Sequence, residues 1–464
     1  MRRERDSIGE MDVQADVYYG IQTVRSLENF PVSGRRERPE LVQAYAMVKK
    51  AAAMANKELG VLDNEKADAI IQAAGEVIAG GMADQFPVDI FQAGAGTSFH
   101  MNVNEVLANR ALEICGRARG EYGYISPNDH VNRSQSTNDT FPTASHIAIM
   151  NRADHLLTIL SVFISALEEK GQEFLDMPKS GRTHLMDAVP VTLGDEFLAY
   201  AAAVARSARR IRERRDDLLE VALGGTATGT GANTPPGFRA NVIEHLSTIS
   251  SLPLMPARDS LEALQSRSQM AAFSGALREL SNELGRIAND LRLLGSGPVT
   301  GLGELVLPAV QPGSSIMPAK VNPVMAECLN MVSFQVIGND CVVSLAAQAG
   351  QVDLNVMTPV MTCNILDSLA MLNSYLPVFV ERCVVGIEAN EGRLSQYIDK
   401  NPILATLLSP RIGYLGAAEI ARESARTGRP VRDIAIERGI LTTREADDLF
   451  DMAQAARNRY GGDE

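Results

Sequence analysis

The sequence predicts a mostly α-helical protein organised around a long, apolar helical bundle. Three observations lead there. Apolar residues recur at helical spacing over five long stretches. Alternating β-type patterns are scarce. Residues 328–380 carry only Asp340, Asp353 and Asp367 as charged residues, where the chain average of 22% charged would place about 12. A helix that is apolar nearly all round must be covered on every side. One chain seldom covers so long a stretch, so a bundle shared between subunits is the expected cover. A central helix of one large monomer is the alternative.

In chain order, the helical stretches are 40–60, 147–172, 192–222, 264–294 and 325–390. The third ends in a dense charge run from Arg206 to Glu220, which reads as a solvated helix rather than a binding patch. Gly, Pro, Asn and Ser crowd 123–142, and a second break falls near Asn390–Gly392. Normal charge density returns after it, with short helix-and-turn units. The expected organisation is an N-terminal mostly helical domain 1–137, a central long-helix domain 138–392 and a small C-terminal helical domain 393–464.

Composition excludes several classes. The chain of 464 residues has 44 Lys+Arg against 57 Asp+Glu, a formal charge of −13. A nucleic-acid backbone demands a basic footprint, so no nucleic acid is expected as partner. An anionic membrane surface is disfavoured for the same reason. The uncharged apolar runs, such as 156–167, reach about 12 residues against the roughly 20 of a membrane span. Cys115, Cys328, Cys341, Cys363 and Cys383 form no C-x-x-C pair, which suits buried free thiols in a reducing cytoplasm. Arg2, Arg3 and Arg5 alternate with Glu4 and Asp6 and precede no apolar core, unlike a signal peptide.

Four polar, glycine-containing islands interrupt the helical text: QAGAGTSFHMNVNE at 92–105, NDHVNRSQSTNDTFPT at 128–143, GRTHLMDAVPVTLG at 181–194, and 295–323, ending in GSSIMPAKVNP. Any one alone suits a capping turn. Four together suggest one composite site. Hydroxyl and amide donors beside a lone Lys or His suit carboxylates. Ser136, Thr137 and Asn138 are consecutive donors, Thr183 and His184 add a hydroxyl and an imidazole, and Lys320 and Asn322 an ammonium and an amide. On so acidic a chain, an anionic substrate needs a local positive field, for which Lys320, His184 and Arg182 are candidates. P-loop, dinucleotide, H-E-x-x-H and G-x-S-x-G patterns are missing, so no metal and no cofactor is implied.

GSSIMPAKVNP at 313–323 resembles the signature loop of the aspartase/fumarase superfamily, and the resemblance runs along essentially the whole chain. MVKKAAAMANKEL at 47–59, QFPVDIFQAGAGTS at 85–98, GEYGYISPNDHVN at 120–132, SQSTND at 134–139, AGQVDLNVM at 349–357 and Ala319 are closer to the aspartase branch. NDTFPTASHIA at 138–148 and GRTHLMDAVPVTLG are closer to the fumarase branch. The resemblance implies a three-domain subunit whose central helices join those of three others in a tetrameric twenty-helix core, with active sites shared by three subunits. It implies a small dicarboxylate substrate and the reversible deamination of L-aspartate to fumarate. Hydration of fumarate, or lysis of another succinate-like substrate, is the alternative.

By the same resemblance, Thr97, Ser136, Thr137 and Ser315 grip the β-carboxylate, and Lys320 and Asn322 the α-carboxylate. Thr183, His184 and Asn138 lie near the amino group, and Met317 belongs to the substrate-binding set. Ser314 is the implied base, taking the proton beside the β-carboxylate to leave an aci-carboxylate, with His184 as an electrostatic and positioning residue. An N-cap role is the alternative for Ser314. Relatives of both branches usually carry Asn where this chain has His100. That imidazole either alters the substrate's charge environment or packs away from it.

Overall fold

The computed structural model describes residues 1–457. Helices dominate, and the strands among the described residues form four two-stranded sheets. The chain divides into two compact units, whose boundaries fall inside five long helices.

The first unit comprises Met1–Leu157, Arg209–Ser281 and Gln335–Asn373. Pro39 opens helix Pro39–Glu58, where its missing N–H costs nothing. Asp63 caps helix Asn64–Ile78 by accepting from the N–H groups of Glu65 and Lys66. Buried alanines at 44, 46, 51, 52 and 55 let neighbouring helices approach closely. Tyr45, Phe99 and Phe141 meet edge to face at 5.6–6.4 Å between centroids. Helix Ile21–Asn29 has no side-chain cap of its own. Glu105 supplies one from a distant helix, accepting from the N–H groups of Gly20, Gln22 and Thr23.

The second unit comprises Thr158–Ala208, Asn282–Phe334 and the chain from Ser374. Its C-terminal part has a small core of Leu404, Leu408, Ile420, Val431, Ile434 and Leu441. A capping box between Thr442 and Glu445 starts helix Thr443–Leu449.

Several expectations need correction. The stretch 325–390 is two helices, Val324–Gln348 and Thr358–Phe379. Asn355 makes the break: its Nδ2 donates to the carbonyls of Ala346 and Ala347 while its Oδ1 accepts from Met357 N. The helix expected over 192–222 ends at Asp216. Two hairpins lie outside the helical expectation: Arg2–Asp6 with Gly9–Val13, whose turn runs from Asp6 to Gly9 with Asp6 Oδ1 accepting from the N–H groups of Ile8 and Gly9, and Pro178–Thr183 with Met186–Thr192, which carries no turn signature legible in sequence. Helices Thr137–Glu173, Val324–Gln348 and the segment Thr358–Val384 are long and apolar enough to cross a membrane by length and composition. Counting only uncharged runs misses this, because an average tolerates isolated charges. Polar groups on these helices find partners: Asn339 Nδ2 donates to Ser368 Oγ at 3.0 Å. All five cysteines are free thiols, but only Cys363 and Cys383 are buried.

The charge run 206–220 does lie largely in solvent. Helix Val324–Gln348 instead exposes Met331, Phe334, Val342 and Leu345 at 62, 65, 37 and 57%. Spacings of three, eight and three place them along one face.

Candidate active site

Two helices in the first unit begin at predicted site residues. Thr97 opens helix Thr97–Ile114, and Thr137 opens helix Thr137–Glu173. Helix N-termini present unpaired N–H groups and partial positive charge, which favour anions. Gly96, just before Thr97, has φ +87°, and a Cβ there would lie 2.1 Å from the Phe141 ring. Only glycine fits that entry. Ser136, Thr137, Asn138 and Asp139 form an N-terminal cap: Ser136 Oγ accepts from Asn138 N at 3.2 Å, and Asp139 Oδ1 from Ser136 N at 3.0 Å. Asn138 Nδ2 donates to Ala227 O at 2.8 Å. Ser136 also lines a cavity of about 670 Å³ with Asn132, Gln135 and Thr226.

The two helix starts are joined by a side chain. His100, one turn into the first helix, places Nδ1 2.5 Å from Thr137 Oγ1. Its Nε2 lies 2.7 Å from Lys49 Nζ. Both His100 and Lys49 are buried. Burial pushes the Lys49 ammonium well below its ordinary range, with Asp139 opposing. Burial, and then Lys49, hold His100 well below its own. Asp139 is raised to about 6 by burial, against N–H groups of Thr226, Ser136 and Gly224 that favour the carboxylate. Lys49 and Asp139 went unrecognised in the sequence. The S-x-x-D pattern at 136–139 was the signal available for Asp139.

The remaining predicted residues belong to the second unit. Thr183 pairs with Met186, so His184 and Leu185 form a two-residue hairpin tip. Their φ values are +56° and +59°, the signature of a type I′ turn usually made by Asn-Gly. Thr183, His184, Leu185 and Met186 are all exposed. The arm is anchored one residue earlier, where Arg182 donates to both oxygens of Glu304.

The loop 313–322 is pinched at its neck. Gly313 N donates to Lys320 O at 2.8 Å, and Asn322 Nδ2 to Gly313 O at 2.5 Å. A Cβ on Gly313 would lie 2.5 Å from Asn322 N and 2.6 Å from Lys320 O. Inside the loop, Ser314 Oγ accepts from Ile316 N at 3.2 Å and Met317 N at 2.9 Å. That is N-cap-like bonding, yet no regular helix begins between Ser314 and Val324. Two N–H groups aimed at one hydroxyl oxygen also favour its deprotonated form. Ser315, Met317 and Lys320 face solvent. Ala319 holds φ +67°, a conformation in which glycine is free of strain.

Thr97, Ser136, Thr137 and Asn138 are thus assembled around two helix starts. Thr183 and His184 sit on a hairpin tip, and Ser314, Ser315, Met317, Lys320 and Asn322 on a separate loop. Among the described residues no hydrogen bond joins that tip to that loop.

Comparison with known proteins covers the whole chain. Residues 9–338 match the family described as Lyase, and residues 404–454 match that described as Fumarase C C-terminus. The aspartate ammonia-lyase of Bacillus subtilis (strain 168) is 48% identical over 463 residues, covering 100% of this chain and 98% of that protein. The fumarate hydratase class II of Thermosynechococcus vestitus is 47% identical, covering 96% of each. The solved structure of a fumarate lyase:delta crystallin from Brucella melitensis is similar with a TM-score of 0.95 at 48% identity, covering 98% of this chain and 99% of that one.

Proposed function

The chain belongs to this Lyase family, together with aspartate ammonia-lyases and class II fumarate hydratases, and from that premise we propose that it converts L-aspartate reversibly to fumarate and ammonia. The observation that carries the chemistry is the Ser314 hydroxyl, held by two backbone N–H groups at the head of an exposed loop.

The hydrogen on Cβ is a very weak acid, because its removal puts a second negative charge on the neighbouring carboxylate. Stabilising that aci-carboxylate is the main task. Ser314, as the alkoxide held by Ile316 N and Met317 N, takes the proton onto Oγ. The electron pair left on Cβ is held by the carboxylate, gripped by Thr97, Ser136, Thr137 and Ser315. Its collapse forms the C=C bond of fumarate as the C–N bond breaks, and the substrate's ammonium group leaves with that bond's electron pair as neutral ammonia. Lys320 and Asn322 hold the α-carboxylate, Met317 lines the substrate, and Thr183, His184 and Asn138 surround the amino group.

The assembly we propose is a homotetramer with a twenty-helix core, each active site drawing on three subunits. Its support is the exposed apolar face of helix Val324–Gln348, the hairpin tip that projects Leu185 and Met186 at 73 and 70% exposure, and the solvent-facing loop. The division 1–137, 138–392 and 393–464 belongs to this reading, with the middle part entering the core. Five free thiols suit a cytoplasmic setting.

The 47% identity to a fumarate hydratase favours a second reading, addition of water to fumarate. One assay separates them. Purified protein receives L-aspartate or L-malate, and fumarate is followed by its ultraviolet absorbance. Turnover of aspartate is the expected result; turnover of malate alone sinks the first reading.

A further inference from the structure

Lys49 is buried among neutral acceptors. Its Nζ lies 2.9 Å from Gln135 Oε1, 3.1 Å from Asn132 Oδ1 and 2.7 Å from His100 Nε2. Both amides turn their oxygens toward the lysine, because their nitrogens are engaged elsewhere. Asn132 Nδ2 donates to Gln135 O, and Gln135 Nε2 to the carbonyls of Val131 and Arg133. Across the imidazole, Nδ1 meets Thr137 Oγ1 at 2.5 Å. Among the described residues, His100 is the only hydrogen-bond partner of that hydroxyl.

The donor inventory then leaves two arrangements. An ammonium has three hydrogens and no lone pair. Two go to the amides and the third to His100 Nε2, so the ring proton sits on Nδ1 and is donated to Thr137. The Thr137 hydroxyl hydrogen must point away from the ring. A neutral amine reverses the chain. Its lone pair accepts from Nε2–H, Nδ1 becomes an acceptor, and Thr137 turns its hydrogen inward.

We propose that Lys49 and His100 are positioning residues for substrate binding: the charged lysine, acting through the imidazole, makes Thr137 a hydrogen-bond donor toward the substrate carboxylate, and the uncharged lysine reverses that polarity. This rests on the reading above that Thr137 holds a carboxylate. In the first state the hydroxyl makes a charge-assisted bond to the anion. In the second it presents lone pairs to it.

The groups facing Lys49 are His100, Asp139 and the Tyr45 ring, whose centroid lies 5.8 Å from Nζ. Asp139 favours the charged lysine and burial disfavours it, which brings the change of state down from the ordinary lysine range. His100 stays neutral in both states, since burial opposes a second ring proton in each and the charged Lys49 adds to that in the first.

The test compares KM and kcat from about pH 6 to 10 for the wild type, His100→Asn, Thr137→Val and the double variant. For the wild type, KM for L-aspartate should rise about tenfold at the alkaline end, and kcat should fall with it, because the carboxylate that Thr137 grips is the one that gains charge in the transition state. His100→Asn should show about that KM already at neutral pH, with no further alkaline rise. The double variant should match Thr137→Val, because His100 acts only through Thr137. Effects of the two substitutions that add, or an alkaline rise surviving in His100→Asn, overturn the relay. An unchanged KM in Thr137→Val overturns instead the reading on which it rests. A measurement on the wild type needs no folded variant. ¹⁵N shifts of labelled His100 at neutral pH should place its proton on Nδ1, and a proton on Nε2 overturns the relay.

Discussion

Lys179 and Glu304, both with fully buried side chains, form an ion pair at 2.7 Å. Lys179 lies in the strand that leads to Thr183 and His184, and Glu304 lies nine positions before the start of the 313–322 loop (313 − 304). The same carboxylate takes both terminal nitrogens of Arg182, so one buried group fixes the root of the arm. Burial opposes ionisation of Glu304, but Arg182 and Lys179 hold its carboxyl below the usual range.

Glu304→Gln leaves Lys179 with Glu196 as its remaining carboxylate and frees the guanidinium of Arg182. Removing one partner of a buried pair costs about 3 kcal/mol. Urea denaturation should register that loss. A variant as stable as the wild type would remove the anchoring role of Glu304.

Gly313→Ala strikes the loop neck, where the added carbon meets backbone atoms at 2.5 and 2.6 Å. Neither Asn322 N nor Lys320 O can move without deforming the loop. A displacement of about 1 Å near reacting groups costs about 100-fold in rate. The expected outcome is a drop of that order in kcat/KM, with the thermal unfolding midpoint unchanged because the loop is exposed. Equal losses in both would mean that the loop is a folding element instead.

Phe334→Glu places a charge on the exposed apolar face of helix Val324–Gln348. Light scattering should give a wild-type mass of about four chains of 50.0 kDa, and a smaller mass for the variant. Activity should fall with assembly. A wild-type monomer would end the shared-site architecture.

His146 governs one acid-side contribution to stability. Its Nδ1 lies 3.0 and 3.1 Å from the carbonyls of Leu218 and Glu220, and burial lowers its pKa to about 4. Below its ordinary value of 6.5, the unfolded chain takes a proton that the folded site refuses. Stability is therefore lost as pH falls from about 6.5 toward 4, by up to about 3 kcal/mol. Glu105, raised to about 7 by burial, works in the opposite direction. The His146 contribution must therefore be read as a difference. His146→Gln should gain about 2 kcal/mol on the wild type between pH 7 and pH 5. A difference that does not change with pH contradicts it.

Much of this is legible in the sequence alone. Helical periodicity located the long helices, because repeating apolar positions must face a core whatever their partners. The composition of GSSIMPAKVNP, SQSTND and GRTHLM marked the segments proposed to carry chemistry. The breaks were harder. Asn355 ends one helix and starts the next with a single amide, which no local propensity announces. His184-Leu185 forms a hairpin tip without Asn or Gly, so the arm lacked a turn signature.

The sequence by itself determined the helical class, the acidic surface, the charge-poor stretch and the residue types available for gripping a dicarboxylate. These follow from local pattern and composition. Only the tertiary structure decided which groups meet. Glu105 caps a helix more than 80 residues away, and Lys49, His100 and Thr137 line up from three separate segments. Hydrogen-bond partnership depends on distances of a few ångströms between atoms remote in the chain, and residue order does not encode those distances locally.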